Sequence, residues 1–358
     1  MKAAATSTVP VFLCGARGML AGEFLRLAEL HPGLELAAAS SREPGAGLHR
    51  HLPAAIQALD SAAFERSLAE RVRSGERAVL VLALPHGESA RTWNALRTAL
   101  GTAAERLVVL DLAADYRLDG ERYRATYGRA HADLAELPRF VYGLPELHRE
   151  RLTSATRIAA PGCFATALQL ALVPAAEARL ASTDSPWVVS GITGSSGSGI
   201  EPKPTTHHPH RHDNLWAYSI GGHRHEAELE QALAPLGAPP PVAFVAHSGP
   251  FARGIHLTAT LPLRAAIDGA EARAVYAERY AHEPFVEVLS AESTPDLRSV
   301  VGSNRASIAV EVRGSALHVL LTLDNLIKGG AGQGLQCLNL ALGFPETTGL
   351  PRSGLGVS

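Results

Sequence analysis

Lysine is nearly missing from this chain. Of its 33 basic residues only Lys2, Lys203 and Lys328 are lysine, so arginine fills cationic positions by default. A lysine inside a motif is then a candidate for a chemical need, and two of the three fall in motifs. Cysteine is also sparse: Cys14, Cys163 and Cys337 are too few and too scattered for a disulfide framework, which points to a reducing cytoplasm. No apolar run approaches the roughly 18 residues of a membrane span. With a net charge of −2 and no basic stripe interleaved with aromatics, a nucleic-acid footprint is excluded. The apolar stretch from Val9 to Cys14 is too short for a signal core, and bulky Leu13 precedes the cysteine where lipoprotein cleavage needs a small residue. The start therefore reads as mature protein.

What is present is a globular composition, 46% hydrophobic and 19% charged over 358 residues, enough for two domains. Val9–Cys14 reads as a strand, the segment from Met19 as a helix, and Leu34–Ala39 as a second strand, a βαβ unit. Gly15, Gly18 and Gly22 mark the turn, which also contains Arg17 and leads into Met19. Glycines there let the backbone approach a pyrophosphate held at the helix N-terminus. The spacing G-x-x-G-x-x-x-G departs from the common fingerprint, and a ligand-free turn is the plain alternative. The second strand ends in Ser40, Ser41 and Arg42, hydroxyls and a guanidinium that suit a 2′-phosphate, hence NADP. Glu43 dissents, since Arg-Glu can be a mere surface pair.

Two further apolar segments, Ala78–Leu84 and Leu107–Leu112, read as strands of a parallel sheet covered on both faces. Pro85, in "LPHG", lies at a carboxyl strand end, where ligands bind in such folds. The alternation predicts a Rossmann-like doubly wound domain up to about residue 160. After it come period-2 stretches with few helices, mainly around 223–235 and 268–281, predicting an α+β, mostly antiparallel second domain. The expected domains are 1–162 with 326–358, and 163–325. "DNLIKGGAGQGLQCLNLALGF" reads as a loop feeding a C-terminal helix that returns to the first domain.

"AAPGCFATAL" puts Cys163 just after a Pro-Gly turn at the start of an apolar helix. Reactive thiols need a lowered pKa, which a helix N-terminus and a nearby protonated histidine supply. "GGHRHEAELEQAL" offers His223 and His225. A buried, inert thiol is the alternative for Cys163, and it suits Cys14 and Cys337. The H-x-x-E pattern can suggest a metal, but too few ligands accompany it. "HHPHRH" (207–212) has no partner at finger-like spacing and reads as a polar substrate-facing loop or a solvated surface. No metal is expected.

In family order, "FLCGARGMLAGEFLRLAELHPGLEL", "SSRE", "LALPHG", "DLAADYRL", "VYGLPEL", "PGCFATALQLAL", "GGHRHEAELEQ", "FARGIHLTATLPL" and "DNLIKGGAGQGLQCLNLALGFPETTGL" span nearly the whole chain. Together they resemble the N-acetyl-γ-glutamyl-phosphate reductases of the aspartate-semialdehyde dehydrogenase-like group. The resemblance implies an NADP-dependent enzyme of arginine biosynthesis in the cytoplasm, a homo-oligomer acting on a small acyl phosphate. It implies Cys163 as a nucleophile forming a thioester, with His223 or His225 as acid/base. Ser40, Ser41 and Arg42 fall where the family holds the 2′-phosphate, and Asn325 where it approaches the nicotinamide carboxamide. Lys203, Arg224 and Lys328 are implied in binding the phosphate and the substrate carboxylate. Two departures stand out. Phe164 replaces the usual tyrosine, and the basic, His-rich stretch around Lys203 resembles relatives that reduce aminoadipyl or glutamyl phosphates on a small acidic carrier protein. A cofactor-binding regulatory protein with an idle thiol is the alternative outside enzymes.

Overall fold

The computed structural model describes residues 8–45, 57–237 and 241–356, so Lys2 lies outside the described residues. The chain forms two compact units, Met1–Pro161 with Ala331–Leu350, and Gly162–Gly330 with Pro351–Ser358.

In the first unit the order is β1 (Val9–Cys14), α1 (Met19–Glu29), β2 (Leu34–Ser40), β3 (Ala58–Leu59), α2 (Ser61–Arg73), β4 (Ala78–Leu82) and α3 (Ser89–Leu100). Then follow β5 (Leu107–Asp111), α4 (Gly120–Tyr127), β6 (Val141–Tyr142), α5 (Pro145–Leu152) and β7 (Arg157–Ala159). The seven strands are all parallel, in the order β3-β2-β1-β4-β5-β7-β6. Strands β4 and β5 are buried at every position, as a sheet covered on both faces requires. Phe12, Phe64, Leu68, Trp93 and Val109 belong to one core between this sheet and its helices. The turns after β1, β2 and β4 consequently gather at the carboxyl ends of the strands.

The second unit opens with α6 (Cys163–Glu177), followed by β8 (Trp187–Thr193), α7 (His208–Arg211), β9 (Trp216–Tyr218), α8 (Glu226–Leu233) and β10 (Val242–Ser248). It continues with β11 (Ile255–Pro262), α9 (Gly269–Arg279), β12 (Val286–Val288), β13 (Ala306–Arg313) and β14 (Ala316–Leu323). Its sheet runs β12-β13-β14-β11-β8-β10-β9. Only β12–β13 and β8–β10 pair in parallel, so the sheet is mostly antiparallel, as expected. Strand β11 alternates buried and half-buried residues, with Leu257 and Leu261 on its inner face. Helix α6 lies on this sheet against β11 and β14. It is apolar on nearly every side because α8 and α9 also pack on it. The hydroxyls of Tyr276 and Tyr280 donate to the Ala171 and Leu170 carbonyls at 2.7 Å, tying α9 to α6.

A π-helical turn, Ile327–Ala331, leads into α10 (Gly332–Leu342), which packs on α1, α5, β5 and β7 in the first unit.

Candidate functional site

In the first unit the sharp turn out of β1 depends on Gly15. Its φ is +82°, and a Cβ there would lie 2.5 Å from the Ala83 carbonyl oxygen. The Gly15 and Ala16 amides donate to the Ser40 carbonyl at 3.2 and 3.0 Å, joining the two turns that flank the cradle. Gly18 precedes α1 with no side-chain cap, leaving that helix N-terminus bare, and Met19 begins the helix. A turn that admits only glycine at position 15, next to a helix N-terminus without a side-chain cap, fits a dinucleotide pyrophosphate.

Arg17 pairs with Glu43 at 3.0 Å, and Arg42 forks onto both carboxylate oxygens of Glu88 at 2.6 Å. Glu43, the dissenting residue of the sequence, therefore occupies Arg17 and leaves Arg42 to Glu88. Ser41 Oγ accepts from the Glu43 amide at 3.2 Å, and the Pro85 carbonyl accepts from the Glu88 amide at 3.0 Å. Beneath this rim Asp115 Oδ1 lies 2.9 Å from His86 Nδ1, and its carboxylate accepts from the Gly87 and Ala90 amides. Burial acts to raise the Asp115 pKa, but hydrogen bonds from His86 and those amides hold it below the usual carboxylate range. Asp111 differs: burial first, then the charge of Asp115, pushes it up to about 7.

In the second unit Cys163 is the first residue of α6 and forms no disulfide. The Gly162 amide donates to Glu228 Oε2 at 3.0 Å. A Cβ on Gly162 would enter the His225 ring, and one on Gly329 would fall 2.8 Å from Cys163 Cβ. The cysteine is thus hemmed in by glycines at positions that no other residue can occupy undisturbed. Cys14 contrasts with it, because burial pushes that thiol up to about 12, which makes it inert.

His223 lies edge-on to Phe164 and Phe244, with ring centres 5.6 and 5.5 Å away, and 5.8 Å from Tyr218. Its Nδ1 accepts from the His225 amide at 3.2 Å, which puts the proton of the neutral ring on Nε2. Burial, then the charge of Arg224, lowers the His223 pKa to about 4. The expectation of a protonated partner is thereby corrected for this histidine: at neutral pH it is uncharged. Burial and then the charge of Cys163 push the Tyr218 phenol up, so Tyr218 remains a hydrogen-bond donor beside the thiol.

The remaining expected residues divide by burial. Arg224 is exposed, as is Lys203, whose Nζ donates to the Ser198 carbonyl at 3.1 Å. Lys328 is fully buried, with Nζ 5.7 Å from the Phe285 ring centre. The residue implied in phosphate or carboxylate binding is thus placed inside the second unit's packing. Asn325 Oδ1 accepts from the Gly254 amide at 2.7 Å and its Nδ2 donates to Ser196 Oγ at 2.9 Å, so each end of the amide is engaged. Asp324, which sequence reasoning passed over, pairs with Arg253 at 3.0 Å and accepts from the Gly302, Leu326 and Ile327 amides. It shapes the turn that brings Gly329 to Cys163. Glu228 and Gly329 were also missed; the doubled glycine after Lys328 was the available signal.

In the His-rich stretch only Arg211 is buried. It donates to Ser248 Oγ at 2.5 Å and to the Gly249 and Phe251 carbonyls, and stacks over Trp216. His207, His208, His210 and His212 are exposed. Among the described residues no three or more His, Cys, Asp or Glu side chains converge to hold a metal ion.

Residues 10–155 match the semialdehyde dehydrogenase NAD-binding domain family, and residues 163–325 the semialdehyde dehydrogenase dimerisation domain family. The N-acetyl-gamma-glutamyl-phosphate reductase of Saccharopolyspora erythraea is 40% identical, over 97% of this chain and 99% of that protein. The reductase of the same name from Acidothermus cellulolyticus is 38% identical, over 96% and 98%. Among solved structures, aspartate semialdehyde dehydrogenase II of Vibrio cholerae superposes with a TM-score of 0.66 at 17% identity, covering 93% of this chain and 98% of that one. The Candida albicans aspartate semialdehyde dehydrogenase, solved with NADP, gives 0.62 at 16% identity, covering 93% and 98%. At such identities these two establish the fold alone.

Proposed function

The chain belongs to the N-acetyl-gamma-glutamyl-phosphate reductase family of oxidoreductases, and on that premise we propose that it converts N-acetyl-γ-glutamyl phosphate to N-acetylglutamate semialdehyde and phosphate in cytoplasmic arginine biosynthesis. The observation that carries this reading is Cys163 at the first position of a long apolar helix, flanked by Gly162 under the His225 ring and by Phe164, whose ring centre is 5.6 Å from that of the uncharged His223. The helix N-terminus favours an anion at that position. The Cys163 thiolate attacks the acyl carbon; the S–C bond forms, the C–O bond to phosphate breaks, and phosphate leaves. A nicotinamide cofactor bound in the first unit would supply the hydride that reduces the thioester carbon. The resulting oxyanion collapses, releasing the aldehyde and restoring the thiolate.

His223 is the half-exposed member of the histidine pair, and we assign proton handling to it. Its Nε2–H donates to the acyl oxygen as negative charge develops there. Tyr218, held protonated, is a second donor beside the sulfur. Lys203 and Arg224, both exposed, meet the phosphate and the substrate carboxylate. NADP is preferred over NAD because Ser40, Ser41 and Arg42 form the rim at the end of β2, with Arg42 exchanging Glu88 for the 2′-phosphate. Asn325 and Gly15, Arg17, Gly18, Met19 and Pro85 complete the cofactor contacts. The domains of the reaction are 1–162 with 326–358 for the cofactor and 163–325 for the substrate, and the protein works as a homo-oligomer, which light scattering would test.

A carrier-bound substrate is less well supported. With Arg211 buried, the exposed Lys, Arg, Asp and Glu side chains of residues 201–213 are Lys203 against Glu201 and Asp213, a poor match for an acidic partner. The test of the main reading is the reverse reaction. Enzyme, NADP, phosphate and N-acetylglutamate semialdehyde should produce NADPH, whereas turnover only with a carrier-linked aminoadipate semialdehyde would replace it with the carrier reading. Silence with both would sink the enzyme assignment.

A further inference from the structure

Helix α6 carries the nucleophile at its first position, yet its own sequence does little to fix that end. Gly162, the residue before it, has no side chain to cap the helix, and no acidic residue occupies the first turn. The missing groups come from the start of α8. Glu228, 1% exposed, accepts the Gly162 amide, which is the reciprocal half of a capping box made from another helix. His225, 4% exposed, lays its ring against the Gly162 α-carbon. The Gly162 carbonyl is held too, accepting from the Thr166 amide at 2.8 Å and from Thr166 Oγ1 at 3.3 Å. His225 is itself placed by its amide on His223 Nδ1 and by its carbonyl, which accepts from the Leu229 amide at 3.3 Å.

We propose that His225 and Glu228 are positioning residues that clamp the Gly162 backbone and thereby aim Cys163, and that the His-x-x-Glu spacing serves this purpose. One consequence is the identity of residue 162. Its backbone, at φ −69° and ψ 150°, is open to any residue, so the His225 ring, and not backbone strain, demands glycine there. A capping Ser or Asp, the usual choice, is excluded by the same ring. The histidine pair then divides its labour, with His225 holding the nucleophile and His223 facing the chemistry.

The proposal rests on Cys163 being the nucleophile, so Cys163→Ser is assayed alongside. Five variants are compared by kcat, KM for NADPH, melting temperature and the rate of Cys163 alkylation by iodoacetamide where the thiol remains. Glu228→Ala should lower kcat about a hundredfold with KM for NADPH unchanged. Glu228→Gln keeps an acceptor oxygen and should recover to within about threefold of the native enzyme. Gly162→Ala should fall as Glu228→Ala does, and the double variant Gly162→Ala/His225→Ala, which makes room for the new methyl, should regain at least about tenfold. Glu228→Gln as impaired as Glu228→Ala, or a double variant no better than Gly162→Ala, would overturn the clamp. An active Cys163→Ser would instead overturn the nucleophile reading, so the two failures are distinguishable.

Discussion

The two units build their candidate sites by different means. In the first, the candidate cofactor residues come from short contiguous stretches, Gly15–Met19, Ser40–Arg42 and Pro85, each at or just past the end of a parallel strand. Their charged side chains are at the surface and paired with near neighbours, Arg17 with Glu43 and Arg42 with Glu88. In the second, Cys163 is bounded by Gly162, Glu228, His225 and Gly329, which are buried or closely packed and come from separate segments. A cradle for a pyrophosphate needs backbone room and amides, which one turn provides. A nucleophile must be held to a fraction of an ångström, which only packing from several sides provides.

The largest break of this comparison is Cys163→Ser. A hydroxyl at that position cannot form the thioester at a useful rate, and turnover should fall by roughly ten-thousandfold or more. Steady-state assays of NADPH formation measure it, and retained activity would remove the second unit's site from the chemistry. Next is Gly329→Ala. The new methyl would stand 2.8 Å from Cys163 Cβ, so the cysteine must shift. Overpacking of this kind costs about 1–3 kcal/mol of stability, and kcat should drop about ten- to a hundredfold. An alanine variant with native kcat would mean that the fit around the thiol is loose.

The first unit should respond more gently and with opposite signs at two partners. Removing the guanidinium in Arg42→Ala should weaken NADP binding about tenfold while leaving NAD binding unchanged, the size of one lost charge-assisted hydrogen bond. Glu88→Gln should do the reverse. It frees Arg42 from an exposed pair and should tighten NADP binding by about two- to fivefold. Calorimetric titration with both dinucleotides checks each, and equal losses for NAD and NADP would show that Arg42 does not read the 2′-phosphate.

The same contrast explains what was legible in the sequence. Strand β1 and the start of α1 could be read to the residue because an apolar run, a glycine turn and a helical period follow one another in 20 positions. The parallel and mostly antiparallel sheets followed from continuous apolar runs in one unit and alternation in the other. Strands β3, β6, β7 and β9 are two or three residues long and carry no period to detect. Glu228 could not be found because its partner is 66 positions away, and nothing local distinguishes it from Glu226. Arg211 looked like part of a basic surface, yet its carbonyl partners make it the anchor of the loop. Burial of a charged residue is a tertiary property, and its neighbours in sequence do not announce it.

The smallest expected effect sharpens the comparison through pH. Asp111, in the first unit, has its pKa raised from 3.8 to about 7 by burial and by Asp115. Between those values the folded chain holds a proton that the unfolded chain has released, so this group favours folding in acid and loses that contribution as pH rises to about 7. His223, in the second unit, is lowered from 6.5 to about 4 by burial and by Arg224. Here the unfolded chain takes up the proton first, so stability present above pH 6.5 is lost as pH falls toward about 4. The two slopes oppose each other within one molecule and partly cancel in the native protein. Single substitutions should separate them. Asp111→Asn mimics the protonated acid, so its melting temperature relative to the native protein should rise by a few degrees from pH 4 to pH 7, at roughly 2–4 °C per kcal/mol. His223→Gln mimics the neutral ring, and its relative melting temperature should rise in the opposite direction, from pH 6.5 down to pH 4, by a smaller amount because the ring is partly solvated. Melting curves at half-unit pH intervals measure both. Two variants that track the native protein in parallel across this range would show that neither group carries its unit's response to acid.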